Sequence, residues 1–171
     1  MSPAPQIRKL ASGDIEEIVA AFDAVGWNKP ASQYERYVGE QSRGERAVWV
    51  AFAAGAFAGY VTVNWAPSYP PFRDASIPEI QDLNVLPKLR RHGIGSALLE
   101  RAERAIAERS IVAGIGVGMD GDYGAAQRLY VQRGYIPDGR GLSYRNRTLH
   151  YGDDTRVDDD LVLYFTREVG A

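Results

Sequence analysis

A chain of 171 residues with 45% hydrophobic content suits one domain built around a single core of ordinary size. Its net charge of -2 gives no general attraction to nucleic acid, so nucleic acid is not an expected partner. The absence of cysteine excludes disulfides, thiolate metal sites and a cysteine nucleophile, and with only His92 and His150 no histidine-based metal centre is expected. The opening Met1-Ser2-Pro3-Ala4-Pro5 lacks a basic and apolar signal pattern, and no apolar run approaches membrane-spanning length. The expectation is a cytoplasmic chain with no membrane partner.

In chain order, Gln6 to Leu10 alternates as a strand, and Ser12 offers an N-cap to a helix with Ile15, Ile18, Val19 and Phe22 on one face. A break at Gly26 to Pro30 leads to a second helical piece carrying Tyr34, Tyr37 and Val38, closed by the polar run Gly39 to Glu45. Ala47 to Ala53 and Phe57 to Val63 are β-branched and aromatic runs around Ala54-Gly55-Ala56, which predicts a hairpin. The stretch Trp65 to Ser76, rich in proline and aromatics, reads as a loop. Ile80 to Leu86 is the predicted central strand, Gly95 to Arg109 the main helix and Ile111 to Val117 the next strand. Gly124 to Gln132 is a further helix with Gly134 as its stop, and Tyr135-Ile136 starts another strand. The polar stretch Tyr151 to Asp160 is taken as a hairpin loop, and Leu161 to Thr166 as the last strand. No repeat, low-complexity tract or linker interrupts this order.

The segment from Val85 to Ser96 is the most specific in the chain. An apolar strand ends there, a basic, glycine-bearing turn follows, and a helix with Ala97, Leu98, Leu99, Ala102, Ala105 and Ile106 on its inner face begins. The first backbone N–H groups of a helix lack intrahelical partners and carry the positive end of its dipole, so they attract phosphate oxygens. Gly93 and Gly95 let the main chain approach a ligand, and Arg90, Arg91 and His92 bring donors and positive charge to the same place. The turn has the makings of a pyrophosphate site.

The spacing Arg90-x-x-Gly93-x-Gly95 resembles the acetyl-CoA signature (Gln or Arg)-x-x-Gly-x-(Gly or Ala) of the GNAT family of N-acetyltransferases. The flanking text is similar as well: a strand Ile80 to Leu86 before it, and Ala126-x-x-Leu129-Tyr130-x-x-x-Gly134-Tyr135 after it. The resemblance runs from about Ala47 to about Ile136 and, by order of elements, over the chain. It implies an α/β (α+β) fold: a single GNAT-type domain over residues 1–171, with a mixed, mostly antiparallel central sheet flanked by helices.

It also implies acetyl-CoA as co-substrate, with no metal. The backbone of His92, Gly93, Ile94, Gly95 and Ser96 would hold the CoA pyrophosphate, Arg90 and Arg91 would add charge, and the backbone of Leu83 and Val85 would pair with the pantetheine arm as an added strand does. Tyr130 occupies the place of the residue that protonates the departing thiolate, a role that a phenol within hydrogen-bond reach can fill. The family often carries Asn seven positions earlier, where this chain has Tyr123, which puts any CoA contact of that Asn in doubt.

The attacking amine must lose a proton, and Glu79 and Asp82 are the candidate bases. Glu79 stands six residues before Val85, where several family members keep a glutamate, whereas Asp82 points to the opposite strand face by period two. Either can also be an ordinary polar strand residue. Acceptor contacts are expected from Trp27 to Tyr37 and from Trp65 to Phe72, with Trp27, Tyr34, Trp65, Tyr69 and Phe72 as the candidates. Such aromatics stack on a ring, enclose a cation, or plug a core. The acceptor is a small-molecule or peptide amine, and the resemblance leaves a homodimer open.

Two other readings stand beside acetyl transfer. A non-catalytic acyl-CoA-binding module would keep the pyrophosphate turn and sense CoA without turnover. A nicotinamide-dependent enzyme would use Gly116-Val117-Gly118-Met119-Asp120-Gly121, which follows a strand and precedes a helix as a dinucleotide fingerprint does. Against the latter, the unit stands late in the chain without a repeated βαβ pattern. Its glycines, with Gly114, otherwise mark a strand that another backbone or a ligand approaches closely.

Overall fold

Eight strands and five helices make up the computed structural model, which describes residues 4–170. By its internal contacts the chain divides into two units: the chain up to Trp65 together with Ile80–Ala105, and Ala66–Glu79 together with the chain from Ile106 onward.

In the first unit β1 (Gln6–Lys9), β2 (Arg46–Ala53), β3 (Ala56–Asn64) and β4 (Glu79–Val85, from Ile80 on) lie in that order. β1 pairs antiparallel with β2, with Ile7 opposite Ala51, and β2 pairs antiparallel with β3, with Trp49 opposite Val61. The β2–β3 turn is Ala54-Gly55, both at positive φ (50° and 81°), a geometry whose twist matches that of a hairpin. The predicted hairpin is therefore observed, with its turn one residue shorter.

On one sheet face, Val48, Val50, Phe57 and Tyr60 pack with Ile18 and Phe22 of α1 (Ile15–Asp23) and Tyr34 and Tyr37 of α2 (Ala31–Ser42). Trp49, offset by one residue, takes the guanidinium of Arg101 from α4 (Ile94–Ala107) at 5.2 Å and the Lys9 ammonium at 4.2 Å.

Ser12, expected to cap α1, instead opens a 3-10 turn over Ser12–Asp14. Asp14 closes that corner: its carboxylate accepts from the Ala11 N–H at 2.9 Å and from the Arg8 guanidinium at 2.8 and 2.7 Å. A doubly charged, bidentate contact outcompetes a neutral hydroxyl cap.

In the second unit the strand order is β5 (Val112–Gly118), β8 (Leu161–Glu168), β6 (Ile136–Tyr144), β7 (Arg147–Thr148). All three neighbour pairs are antiparallel, with Ile115 opposite Phe165 and Ser143 opposite Val162. α5 (Gly124–Gln132) has the predicted bounds. It ends at Gly134, at φ 90°, with the Tyr135 N–H bonded to the Tyr130 carbonyl at 3.0 Å, so the predicted stop is observed.

Two elements depart from the sequence reading. The stretch read as a loop contains the short α3 (Pro70–Asp74), begun by Pro70-Pro71, and the two-residue β7 is an extra strand. The expected class, α/β with mostly antiparallel strands and flanking helices, is the class observed.

Candidate functional site

The chain leaves β4 through Leu86 and a 3-10 turn over Pro87–Leu89, then Arg91 (φ 64°) and Gly93 (φ 80°) reverse it into α4. The Gly93 carbonyl accepts the first helical bond, from Ala97 at 3.0 Å. The N–H groups of Ile94, Gly95 and Ser96 therefore stand in the first turn, where no intrahelical acceptor exists. A Cβ placed on Gly93 would meet nothing within 4 Å, so the space over the turn is open.

Arg90 bends back over this turn. Its Nε donates to the Val85 carbonyl at 3.2 Å, and its guanidinium lies 5.4 Å from the Trp27 ring, which stacks on Phe22. His92 places Nδ1 2.8 Å from the Arg90 carbonyl. Lys88, Arg90, Arg91 and His92 are exposed, and none has a carboxylate partner among the described residues. Uncompensated positive charge at the start of a 14-residue helix suits an anion.

Asp82 departs from the regular strand assumed in the sequence reading. Its φ of 53° is left-handed, so the period-two alternation that set it opposite Glu79 is interrupted between them and Val85. Its carboxylate accepts a hydrogen bond from the Tyr37 hydroxyl. Burial, and after it the Asp82 charge, pushes the Tyr37 phenol above its usual range. Gln33 Nε2 donates to the Tyr37 oxygen at 3.2 Å and to the Tyr60 oxygen at 3.4 Å. Tyr37 closes the stretch from which acceptor contacts are expected, yet is not among the candidates named there. The i, i+4 spacing of Gln33 and Tyr37 on one helix was the available signal.

In the second unit Tyr130 is 5% exposed, and its hydroxyl makes no hydrogen bond among the described residues. Burial, with a further contribution from Tyr123, raises its pKa, so the phenol holds its proton at neutral pH and is available as a donor. Glu79 is buried as well, at 6% exposure. Burial and then the Glu79 charge raise the pKa of the Tyr164 phenol.

The candidate acceptor aromatics divide by exposure. Trp27 and Trp65 are half-buried, whereas Tyr34, Tyr69 and Phe72 are 0, 1 and 1% exposed. Tyr34 belongs to the first core, and burial pushes its phenol up to about 12. Tyr69 stacks on Tyr164 at 3.6 Å and donates to Asp138 at 2.7 Å, while Phe72 meets Tyr164 edge-on at 5.3 Å. Of the uses an aromatic loop allows, Tyr69 and Phe72 serve the plug.

The glycines of β5 are explained by the same cluster. A Cβ on Gly114 would lie 2.4 Å from the Phe72 ring, on Gly116 2.7 Å from Val162, and on Gly118 2.4 Å from the Tyr123 ring. The close approach expected there is made by side chains, not by a backbone or a ligand. Tyr123, in the place of the family's Asn, lies over Gly118 and donates to Asp159 at 2.9 Å. This corrects the dinucleotide reading: β5 pairs antiparallel with β8, and a ring fills the space over Gly118 that a phosphate would need.

A model of the acetyltransferase (GNAT) family matches residues 13–135, well over half of the chain. The chain belongs to the GNAT acetyltransferase family. Solved structures share its fold. An N-acetyltransferase from Staphylococcus aureus Mu50 is 17% identical with a TM-score of 0.70, over 98% of this chain and 99% of that one. A ribosomal-protein-alanine N-acetyltransferase from Brucella melitensis is 21% identical with a TM-score of 0.69, over 95% and 99%. A spermidine N-acetyltransferase chimera from Vibrio cholerae and hSSAT is 14% identical with a TM-score of 0.68, over 98% and 96%. No curated protein sequence matches the chain. Among the described residues, no helix is long and apolar enough to cross a membrane, and no three metal-ligating side chains stand together.

Proposed function

We propose that this GNAT chain moves an acetyl group from acetyl-CoA directly to a primary amine, the whole chain working as one acetyltransferase domain in the cytoplasm. The observation that carries the reading is the β4–α4 turn: an open space over Gly93, first-turn amides of α4, and Lys88, Arg90 and Arg91 without carboxylate partners. These features fit the pyrophosphate of CoA. The strand carrying Leu83 and Val85 would take the pantetheine arm, its Val85 carbonyl already accepting one bond from Arg90.

Direct transfer is in keeping with the described residues, among which no side chain stands as an activated nucleophile. The chain has no cysteine, and its histidines contact the Arg90 carbonyl and Asp153 rather than a serine. Attack by the neutral amine nitrogen forms the new C–N bond. Collapse of the tetrahedral adduct breaks the C–S bond, and Tyr130 supplies a proton to the leaving thiolate. Glu79 is the preferred acceptor of the amine proton and Asp82 the alternative. The acceptor is a small-molecule or peptide amine, in keeping with fold neighbours named for a protein alanine and for spermidine.

Thermal unfolding with acetyl-CoA, free CoA, NAD and ATP tests the binding step. A ligand at about 100 times its dissociation constant adds about 2.7 kcal/mol. Stabilisation by the two CoA species alone supports the reading, and no effect of CoA overturns it. Thiol release in the presence of primary amines separates an enzyme from a module that binds acyl-CoA without turnover. In the enzyme, Tyr130→Phe lowers turnover about 100-fold with acetyl-CoA stabilisation intact, and full turnover in that variant makes Tyr130 structural.

A further inference from the structure

The helix pair α1–α2 leaves one groove uncovered. Ile15 and Val19 of α1 pack against the core of the first unit yet stay half-buried, and with Ala31 of α2 they line an open groove of about 660 Å³. Glu16, Asp23 and Glu35 line the same groove and are exposed. Apolar residues within and charges at the solvent side make a surface that an amphipathic helix can cover.

The charge at this groove is one-sided. No lysine or arginine lines it, and none of its three carboxylates has a cationic partner among the described residues. Carboxylates elsewhere in the first unit are matched: Asp14 holds Arg8, Glu40 holds Arg46, Glu45 holds Arg43 and Glu100 holds Arg104, while Glu17 accepts from the Phe57 N–H and Asp82 from the Tyr37 hydroxyl. Asp23 is also the last residue of α1, at the negative end of the helix dipole, where a carboxylate is disfavoured. A cation from outside the chain relieves that conflict.

We propose that the α1–α2 groove docks a basic amphipathic helix of a partner protein. Glu16 and Asp23 stand two turns apart on one face of α1, about 10 Å along its axis. Lysines or arginines two turns apart on a second helix match that spacing, and the apolar residues between them fall on Ile15 and Val19. Glu35 meets the partner from the α2 side. The apolar floor favours a helix with both kinds of residue over a free cation, which gains nothing from Ile15 and Val19. Such docking needs neither acetyl-CoA nor turnover.

The test is an NMR titration of the full chain with a blocked helical peptide of about four turns, carrying two lysines two turns apart and leucines between them on the same face. Saturable shifts at the backbone amides of α1 and α2 are expected, and none with a peptide that has glutamates in place of the lysines. Glu16→Gln combined with Asp23→Asn, both at exposed positions, keeps the fold and weakens binding about tenfold. Asp23→Asn alone raises the melting temperature of the free chain by about 1–3 °C, because the conflict with the dipole is gone. Absence of shifts on α1 and α2, equal binding by the double variant, or a lower melting temperature for Asp23→Asn overturns the site. Spermidine, or a peptide with glutamines in place of the leucines, binding as tightly also overturns it, since the groove would then hold charge alone. A free chain that sediments as a dimer, and as a monomer in the double variant, gives the groove to a second copy and overturns it as well.

Discussion

Glycine does opposite things in the β4–α4 turn and in β5. At Gly93 the backbone needs a φ of 80°, and an added Cβ would touch nothing within 4 Å. At Gly114, Gly116 and Gly118 no such conformation is required, and the missing Cβ is room already filled by Phe72, Val162 with Tyr164, and Tyr123. The first kind leaves the space beside it open, and the second gives space away to the chain's own side chains. Gly93 follows a strand and the other three lie within one, each ahead of a helix, so spacing alone does not separate an open turn from a packing seam.

The largest effect belongs to the packing seam. Gly114→Ala places a methyl 2.4 Å from a Phe72 ring that is 1% exposed and hemmed by Tyr69 at 4.9 Å and Tyr164 at 5.3 Å. No neighbour can yield cheaply, so the variant loses about 3 kcal/mol, roughly 9 °C in melting temperature. In a Phe72→Leu background the same substitution costs at least about 1 kcal/mol less. Equal cost in both backgrounds would show that the ring is not what Gly114 accommodates.

Gly118→Ala grades the comparison. Its methyl also lands 2.4 Å from a ring, but Tyr123 is half-buried and can swing away at the cost of its bond to Asp159. A loss of about 2 kcal/mol is expected, most of it recovered when Tyr123 is replaced by Ala in the same chain.

Where the second unit relies on rings against glycine, the first relies on paired polar groups, and these respond to pH. The hydrogen bonds from Arg8 hold the Asp14 carboxyl below its usual range. A carboxylate with a lowered folded pKa adds stability that is complete above the unfolded pKa, near 4, and disappears as pH falls through the folded value. Asp14→Asn therefore costs about 1–2 kcal/mol at pH 7 and progressively less on acidification. Chemical denaturation of both chains between pH 7 and pH 3 measures it, and a pH-independent difference removes the ion pair as the cause.

How far these features were legible depended on the length scale that produced them. The β2–β3 hairpin, α5 and its Gly134 stop were readable because each is set by residues within a few positions of one another. The basic turn was readable for the same reason. The left-handed Asp82 was not, since aspartate in a strand looks alike in either conformation until Tyr37, 45 positions earlier, is brought to it. That Phe72 could plug a core was readable, but its partner was not: that partner is the missing side chain of Gly114, and proline-rich text concealed the helical turn of α3 that delivers the ring. Ser12 misled because a cap was judged on local preference alone, while Arg8 had already made Asp14 the stronger acceptor.

The smallest effect on stability is the most telling about ligand binding. Gly93→Ala forces a methyl-bearing residue to φ 80°, a strain of about 1 kcal/mol, with no clash in the chain to add to it. If the open space over the turn exists only because the backbone must reverse there, the variant melts about 3 °C lower and gains as much from acetyl-CoA as the wild type does. If it exists so that phosphate oxygens can reach the first amides of α4, the methyl stands in their path, and the stabilisation by acetyl-CoA shrinks by more than the stability of the free chain. Melting curves for the two chains, with and without acetyl-CoA, give both differences at once. The GNAT reading of the turn requires the second difference to be the larger.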